Sequence, residues 1–214
     1  TSPVGIFFNS DGTKCYVIGF SSDAVIEYSL ATAWDITSAS FAHSLSVTAK
    51  DSSPRDLWFK ADGTEVYIVG TVSNSVHQYS LSTAWDVSSG TFTRSFSVSA
   101  QSSFTRGITF KPDGTKMYVA DTSSDKIYQY SLSAAWDIST ASYSNNFLAS
   151  GTINPTSPRF NPDGTKLWLI DNSPDDVRQY SLSTAWDVSS GTYDNVFFNV
   201  GSQDGTAQGI FFKE

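Results

Sequence analysis

The chain has 214 residues, 13 of them basic and 21 acidic, for a formal charge of −8; charged residues make up 16% and aromatic residues 14%. The basic residues are scattered singly, so no stripe can neutralise a phosphate backbone, and neither nucleic acid nor an anionic membrane surface is expected as a partner. No run of about eighteen apolar residues suggests a transmembrane helix, and Cys15, alone on an apolar run, reads as a small buried hydrophobe.

Internal repetition dominates the chain. The tetrapeptide Asp-Gly-Thr-Lys/Glu begins at Asp11, Asp62, Asp113 and Asp163, at spacings of 51, 51 and 50. Ala-Trp-Asp recurs in the same register at Trp34, Trp85, Trp136 and Trp186, and Tyr-Ser-Leu at Tyr28, Tyr79, Tyr130 and Tyr180. The predicted repeats span approximately 1–51, 52–102, 103–152 and 153–204, with a partial fifth at 205–214.

In chain order, a first strand ends at Phe8, Phe59, Phe110 and Phe160 and runs into the Asp-Gly turn, a strong hairpin signal because the turn needs φ > 0. The second strand (15–18, 66–69, 117–120 and 167–170) is apolar on both faces, as a sheet covered on both sides requires. A Ser/Asn/Asp-rich turn follows, in which Asp23, Asn74, Asp125 and Asp175 are equivalent. The third strand alternates up to the recurrent Tyr. The Trp-Asp pair then makes a tight turn, its Asp placed to bond the backbone two residues on. A fourth strand carries Phe41, Phe92, Tyr143 and Tyr193, then Leu45, Phe96, Phe147 and Phe197.

No long stretch shows helical periodicity. Four short strands per unit predict an all-β fold, a β-propeller of four antiparallel four-stranded blades of about 51 residues. The end of the chain adds one first strand, since Gly209-Ile210-Phe211-Phe212 copies Gly5-Ile6-Phe7-Phe8. That extra strand is an unpaired edge and suggests a homo-oligomer formed through it.

Within residues 105–119 the run Gly-Ile-Thr-Phe-Lys-Pro-Asp-Gly-Thr-Lys-Met-Tyr-Val resembles the blades of bacterial propellers of the YVTN, NHL or WD-like kind. The Tyr-Ser-Leu-Ser-Thr-Ala-Trp-Asp-Val-Ser run is similar to arrays in bacterial and phage surface proteins. The resemblance implies the propeller and first strands lining a central channel, and leaves the ligand open.

Residues that recur in every repeat read as blade structure; those that do not are candidates for a site. Phe7, Trp58 and Phe211 are equivalent and become Thr109 and Arg159 elsewhere, which fits a position near the ring axis. Phe20 and Phe104 fall in turns on one face, the usual binding face. Arg55 and Arg106 precede the first strands there, beside Asp56, and Asp121 and Asp171 end second strands. Asp171, Asp175 and Asp176 make a weak Ca²⁺ candidate without EF-hand spacing; no other cofactor is expected.

Only His43 and His77 occur, at different repeat positions, and no nucleophile elbow, phosphate loop or His-Glu-x-x-His run is present. The expectation from sequence is therefore not an enzyme. It is a lectin-like, adhesion-type recognition module at an extracellular or virion surface, binding a glycan or a protein through its loop face. The alternatives are a structural segment that assembles into a larger ring, and a hydrolase or lactonase with a metal in the channel.

Overall fold

Each repeat opens with a hairpin that only glycine can turn. Gly12, Gly63, Gly114 and Gly164 hold φ of 71 to 73°, and the indole of the Trp-Asp pair lies so close on each that a Cβ would strike it. The Trp34 amide donates to the Gly12 carbonyl at 2.8 Å, and Trp85 repeats this on Gly63 at 2.9 Å. All four tryptophans themselves take φ of 62 to 67°, rare for a bulky side chain and held by this bond and by the packing of the ring. The two sequence signatures are thus two halves of one structure. The Trp-Asp aspartates accept from the amide two residues on and cap single 3-10 turns, Ile36–Ser38, Val87–Ser89, Ile138–Thr140 and Val188–Ser190.

The computed structural model describes residues 2–149 and 154–213; the expected boundary between the third and fourth repeats, at 152/153, lies outside the described residues. Blade 1 comprises β1 (Pro3–Phe8), β2 (Lys14–Gly19), β3 (Ala24–Leu30) and β4 (Ala39–Ser46). Blade 2 comprises β5 (Pro54–Phe59), β6 (Glu65–Gly70), β7 (Ser75–Leu81) and β8 (Gly90–Ser97). Blade 3 comprises β9 (Thr105–Phe110), β10 (Lys116–Asp121), β11 (Lys126–Leu132) and β12 (Ala141–Leu148). Blade 4 comprises β13 (Pro155–Phe160), β14 (Lys166–Asp171), β15 (Asp176–Leu182) and β16 (Gly191–Asn199). Each is an antiparallel meander in sequence order, and the four form a four-blade β-propeller.

The core lies between blades, which is why the second strands are apolar on both sides. Tyr16 meets Phe59 of the next blade at 4.3 Å between ring centroids, Tyr67 meets Phe110 at 4.5 Å, and Tyr118 meets Phe160 at 4.6 Å. Each of these tyrosine hydroxyls donates to the carbonyl of the next blade's tryptophan. Residues 208–212, the extra copy of the first strand, lie against the inner strand of blade 4. There Thr156 Oγ1 donates to the Gln208 carbonyl and the Phe212 ring lies tilted 4.9 Å from Trp168, where the other seams place their Tyr–Phe pair.

Candidate functional site

The inner strands surround an axis that is closed in the middle. Asp56 on β5 and Arg159 on β13 come from opposite blades and meet at 3.4 Å, both almost fully buried. Asp56 also accepts from the amides of Leu57 and Ile108, at 2.9 and 3.0 Å. Burial pushes its carboxyl above the usual range, and the Arg159 charge pulls it back. Arg159 donates to the carbonyls of Ile210, Ile108 and Pro158. Asp56 therefore sits inside the ring as part of a plug, not on the loop face. The sequence placed Arg159 near the axis but did not count it among the candidate site residues. The signal was its place at the inner-strand position where the repeats differ most, Phe7, Trp58, Thr109 and Arg159.

On the hairpin side of the plug is a cavity of about 190 Å³ walled by Phe7, Trp34, Trp58, Trp85, Trp136 and Phe211. Phe7 lies 5.3 Å from Trp58 and 5.4 Å from Phe211, so the variable aromatic position does gather at the axis.

On the other side, the loop face brings four of the sequence candidates into two stacked pairs. The Arg55 guanidinium lies 4.1 Å over the Phe20 ring and that of Arg106 lies 4.9 Å over Phe104. Arg55 and Arg106 sit at equivalent positions of the adjacent strands β5 and β9. Burial, then the neighbouring Arg106 charge, lowers Arg55, and burial lowers Arg106. Among the described residues neither arginine forms an ion pair. The buried Nε of each has no hydrogen-bond acceptor.

The remaining carboxylates hold loops. Asp121 is buried and accepts from Ser102, Ser123 and Ser124 side chains and from the Phe104 amide. These bonds, outweighing burial, hold its carboxyl at about 2. Asp171 accepts from the Ser173 amide and lies 3.4 Å from Arg178, which also pairs with Asp176 at 2.7 Å. The charge between those two carboxylates is thus a guanidinium. Asp175 takes φ 63°, and its equivalents Asp23, Asn74 and Asp125 are also left-handed, as their turn position predicts. Among the described residues no three His, Cys, Asp or Glu side chains gather as a metal site, so a channel metal has no ligand set among them.

A family model described as "Lactonase, 7-bladed beta-propeller" matches residues 6–185. The chain belongs to this lactonase family. Its four blades span 55% of a Bacteroides uniformis protein named only provisionally as a 6-phosphogluconolactonase, with 92% of this chain covered, 16% identity and a TM-score of 0.64. The periplasmic gluconolactonase of Pseudomonas aeruginosa aligns over 92% of this chain and 53% of its own, at 15% identity and a TM-score of 0.57. Hydrazine synthase of Kuenenia stuttgartiensis aligns at 19% identity and a TM-score of 0.59, over 84% of this chain and 46% of its own. Such likenesses carry the fold alone, and unrelated chemistry shares it. No curated protein matches by sequence.

Membership of the lactonase family corrects the expectation of a non-catalytic, lectin-like adhesion module and of a chain that is not an enzyme. The family agrees instead with the alternative of a hydrolase or lactonase on the propeller fold.

Proposed function

We propose that this chain provides four blades of a lactone-opening hydrolase and that its loop face receives an anionic sugar lactone. The observation that carries the reading is the pair Arg55 and Arg106, two guanidiniums at equivalent positions of adjacent strands on the loop face that form no ion pair among the described residues. A guanidinium fork suits the phosphate or carboxylate oxygen pair of an anionic substrate. In the reaction water bonds to the lactone carbonyl carbon, the acyl–oxygen bond of the ring breaks, and the ring oxygen leaves as a hydroxyl after taking a proton. The product is the open hydroxy acid. Phe20 and Phe104 support the two guanidiniums from behind and keep them from folding onto the loops. We place the activity outside the cytoplasm, in keeping with the periplasmic Pseudomonas neighbour.

The test follows opening of 6-phosphoglucono-δ-lactone and of uncharged glucono-δ-lactone above their spontaneous rates. The expected result is faster turnover of the phosphorylated lactone. Rates for both that equal the spontaneous ones overturn the reading.

A further inference from the structure

The cavity on the hairpin side of the plug opens on the face opposite the two arginine pairs. Its walls are aromatic. Phe7 meets Trp58 at 5.3 Å and Phe211 at 5.4 Å, both edge-on, and Trp34, Trp85 and Trp136 close the space from three blades. The hairpins of the same three blades form its rim through Ser10, Ala61 and Pro112. The volume of about 190 Å³ exceeds the roughly 150 Å³ that admits a benzene-sized guest.

What this space accepts follows from what its walls lack. Asn9 uses both ends of its amide on its own hairpin, donating to Thr13 and accepting from the Lys14 amide. Arg159 offers only donors, and Asp56 balances its charge. A primary ammonium inside would find too few acceptors for its three N–H groups. An anion would meet acidic hairpin tips. Ser10, Ala61 and Pro112 each precede an exposed aspartate, Asp11, Asp62 and Asp113, and Asp163 holds the same place in blade 4. Lys60 and Lys111 pair with Asp62 and Asp113. Asp11 and Asp163 form no ion pair among the described residues. The rings already carry one cation, since the exposed Lys213 at the end of the tail places its Nζ 4.8 Å over Trp34.

We propose that this cavity is a second binding site, for a small quaternary ammonium compound. Such a cation has no N–H group to satisfy, and ring faces within about 6 Å attract it electrostatically. The unpaired carboxylates at the hairpin tips add to that attraction. Lys213 is then an internal competitor for Trp34, the one ring it covers. The site lies apart from the loop face and does not depend on the lactone reading.

The test is titration of the 214-residue chain with choline and with its uncharged isostere, in which a tert-butyl group replaces the trimethylammonium. Calorimetry and indole fluorescence give the two affinities. Choline is expected to bind about 3- to 30-fold more tightly, the worth of a cation over aromatic rings. Lys213→Gln, at an exposed position, should tighten choline binding at least about twofold and leave the isostere unchanged, because only the competing charge is removed. Trp58→Leu should weaken choline at least about tenfold, with thermal melts checking that the fold is kept. If that variant does not fold, the Lys213→Gln titrations decide alone. Equal affinity for the two compounds would make the cavity an apolar pocket indifferent to charge and overturn the proposal. So would the absence of saturable choline binding, or a Lys213→Gln variant that binds choline no better than the parent. Capture by phosphatidylcholine vesicles without a response to free choline would assign the rings to a lipid headgroup and overturn the small-ligand site.

Discussion

Asp56 and Arg159 join blades 2 and 4 directly across the axis, at 3.4 Å and out of contact with water. Breaking a buried pair on one side strands the other charge, at a cost of about 3–5 kcal/mol. Arg159→Met should cost most of that, since Asp56 would keep only its two amide donors. Arg159→Lys should recover little, because a single ammonium cannot reach the carbonyls of Ile210, Ile108 and Pro158 together. Urea unfolding midpoints check this; a midpoint unchanged in Arg159→Met would remove the plug from the account of stability.

Gly63→Ala should destabilise by about 2–4 kcal/mol, combining a left-handed backbone with overpacking against Trp85. Its near-UV circular dichroism should lose intensity as the indole is pushed off the turn.

The four repeats were legible because this hairpin chemistry is local: Asp-Gly and Trp-Asp each announce a turn, and the turn sets the strands on either side. The seams were legible in kind, as recurrent Tyr, Phe and Trp, but their partners were not. Tyr16 packs on Phe59 through a distance along the chain that no local pattern encodes. The site was legible only in part. Phe20, Arg55, Phe104 and Arg106 stand out as departures from the repeat, and they do pair. Asp121 and Asp171 depart from it too, yet serve their own loops. A carboxylate that caps amides and one that waits for substrate look alike in a sequence. The lactonase alternative was legible only as one propeller function among several, because the blades carry the signature of the fold and not of a reaction.

On the proposed substrate reading, Arg106→Met should raise KM for the phosphorylated lactone by about 10- to 100-fold, the worth of a charge-assisted hydrogen bond. Turnover of the uncharged lactone should stay within about twofold, since it presents no anion for that hydrogen bond. A uniform loss for both substrates would argue for a structural role of Arg106 instead.

Asp121 should make the fold acid-labile. Its carboxyl is held at about 2 in the folded chain against about 3.9 when unfolded. A depressed folded value contributes stability above the unfolded value, which is lost as pH falls from about 4 toward 2, by about 1–2 kcal/mol after allowance for solvent screening. Asp121→Asn should lower the melting temperature at neutral pH and flatten its decline across that acid window. A variant that melts in parallel with the parent over the window would contradict this.

Identical repeat positions should answer differently to one substitution. Val87 is fully buried, while its equivalent Ile36 is 68% exposed. Val87→Asp places a charge in the core and should cost more than about 3 kcal/mol. Ile36→Asp should change stability by no more than about 0.5 kcal/mol. Urea unfolding of the two variants decides it.

The lone thiol offers a last consequence. Cys15 is shut inside the first blade, and burial lifts its pKa to about 11. A disulfide reagent can therefore reach it only when that blade opens. The rate of labelling clocks the opening of one quarter of the ring, while indole fluorescence averages over all four. A gap between the two clocks would mean that the blades come apart singly rather than together.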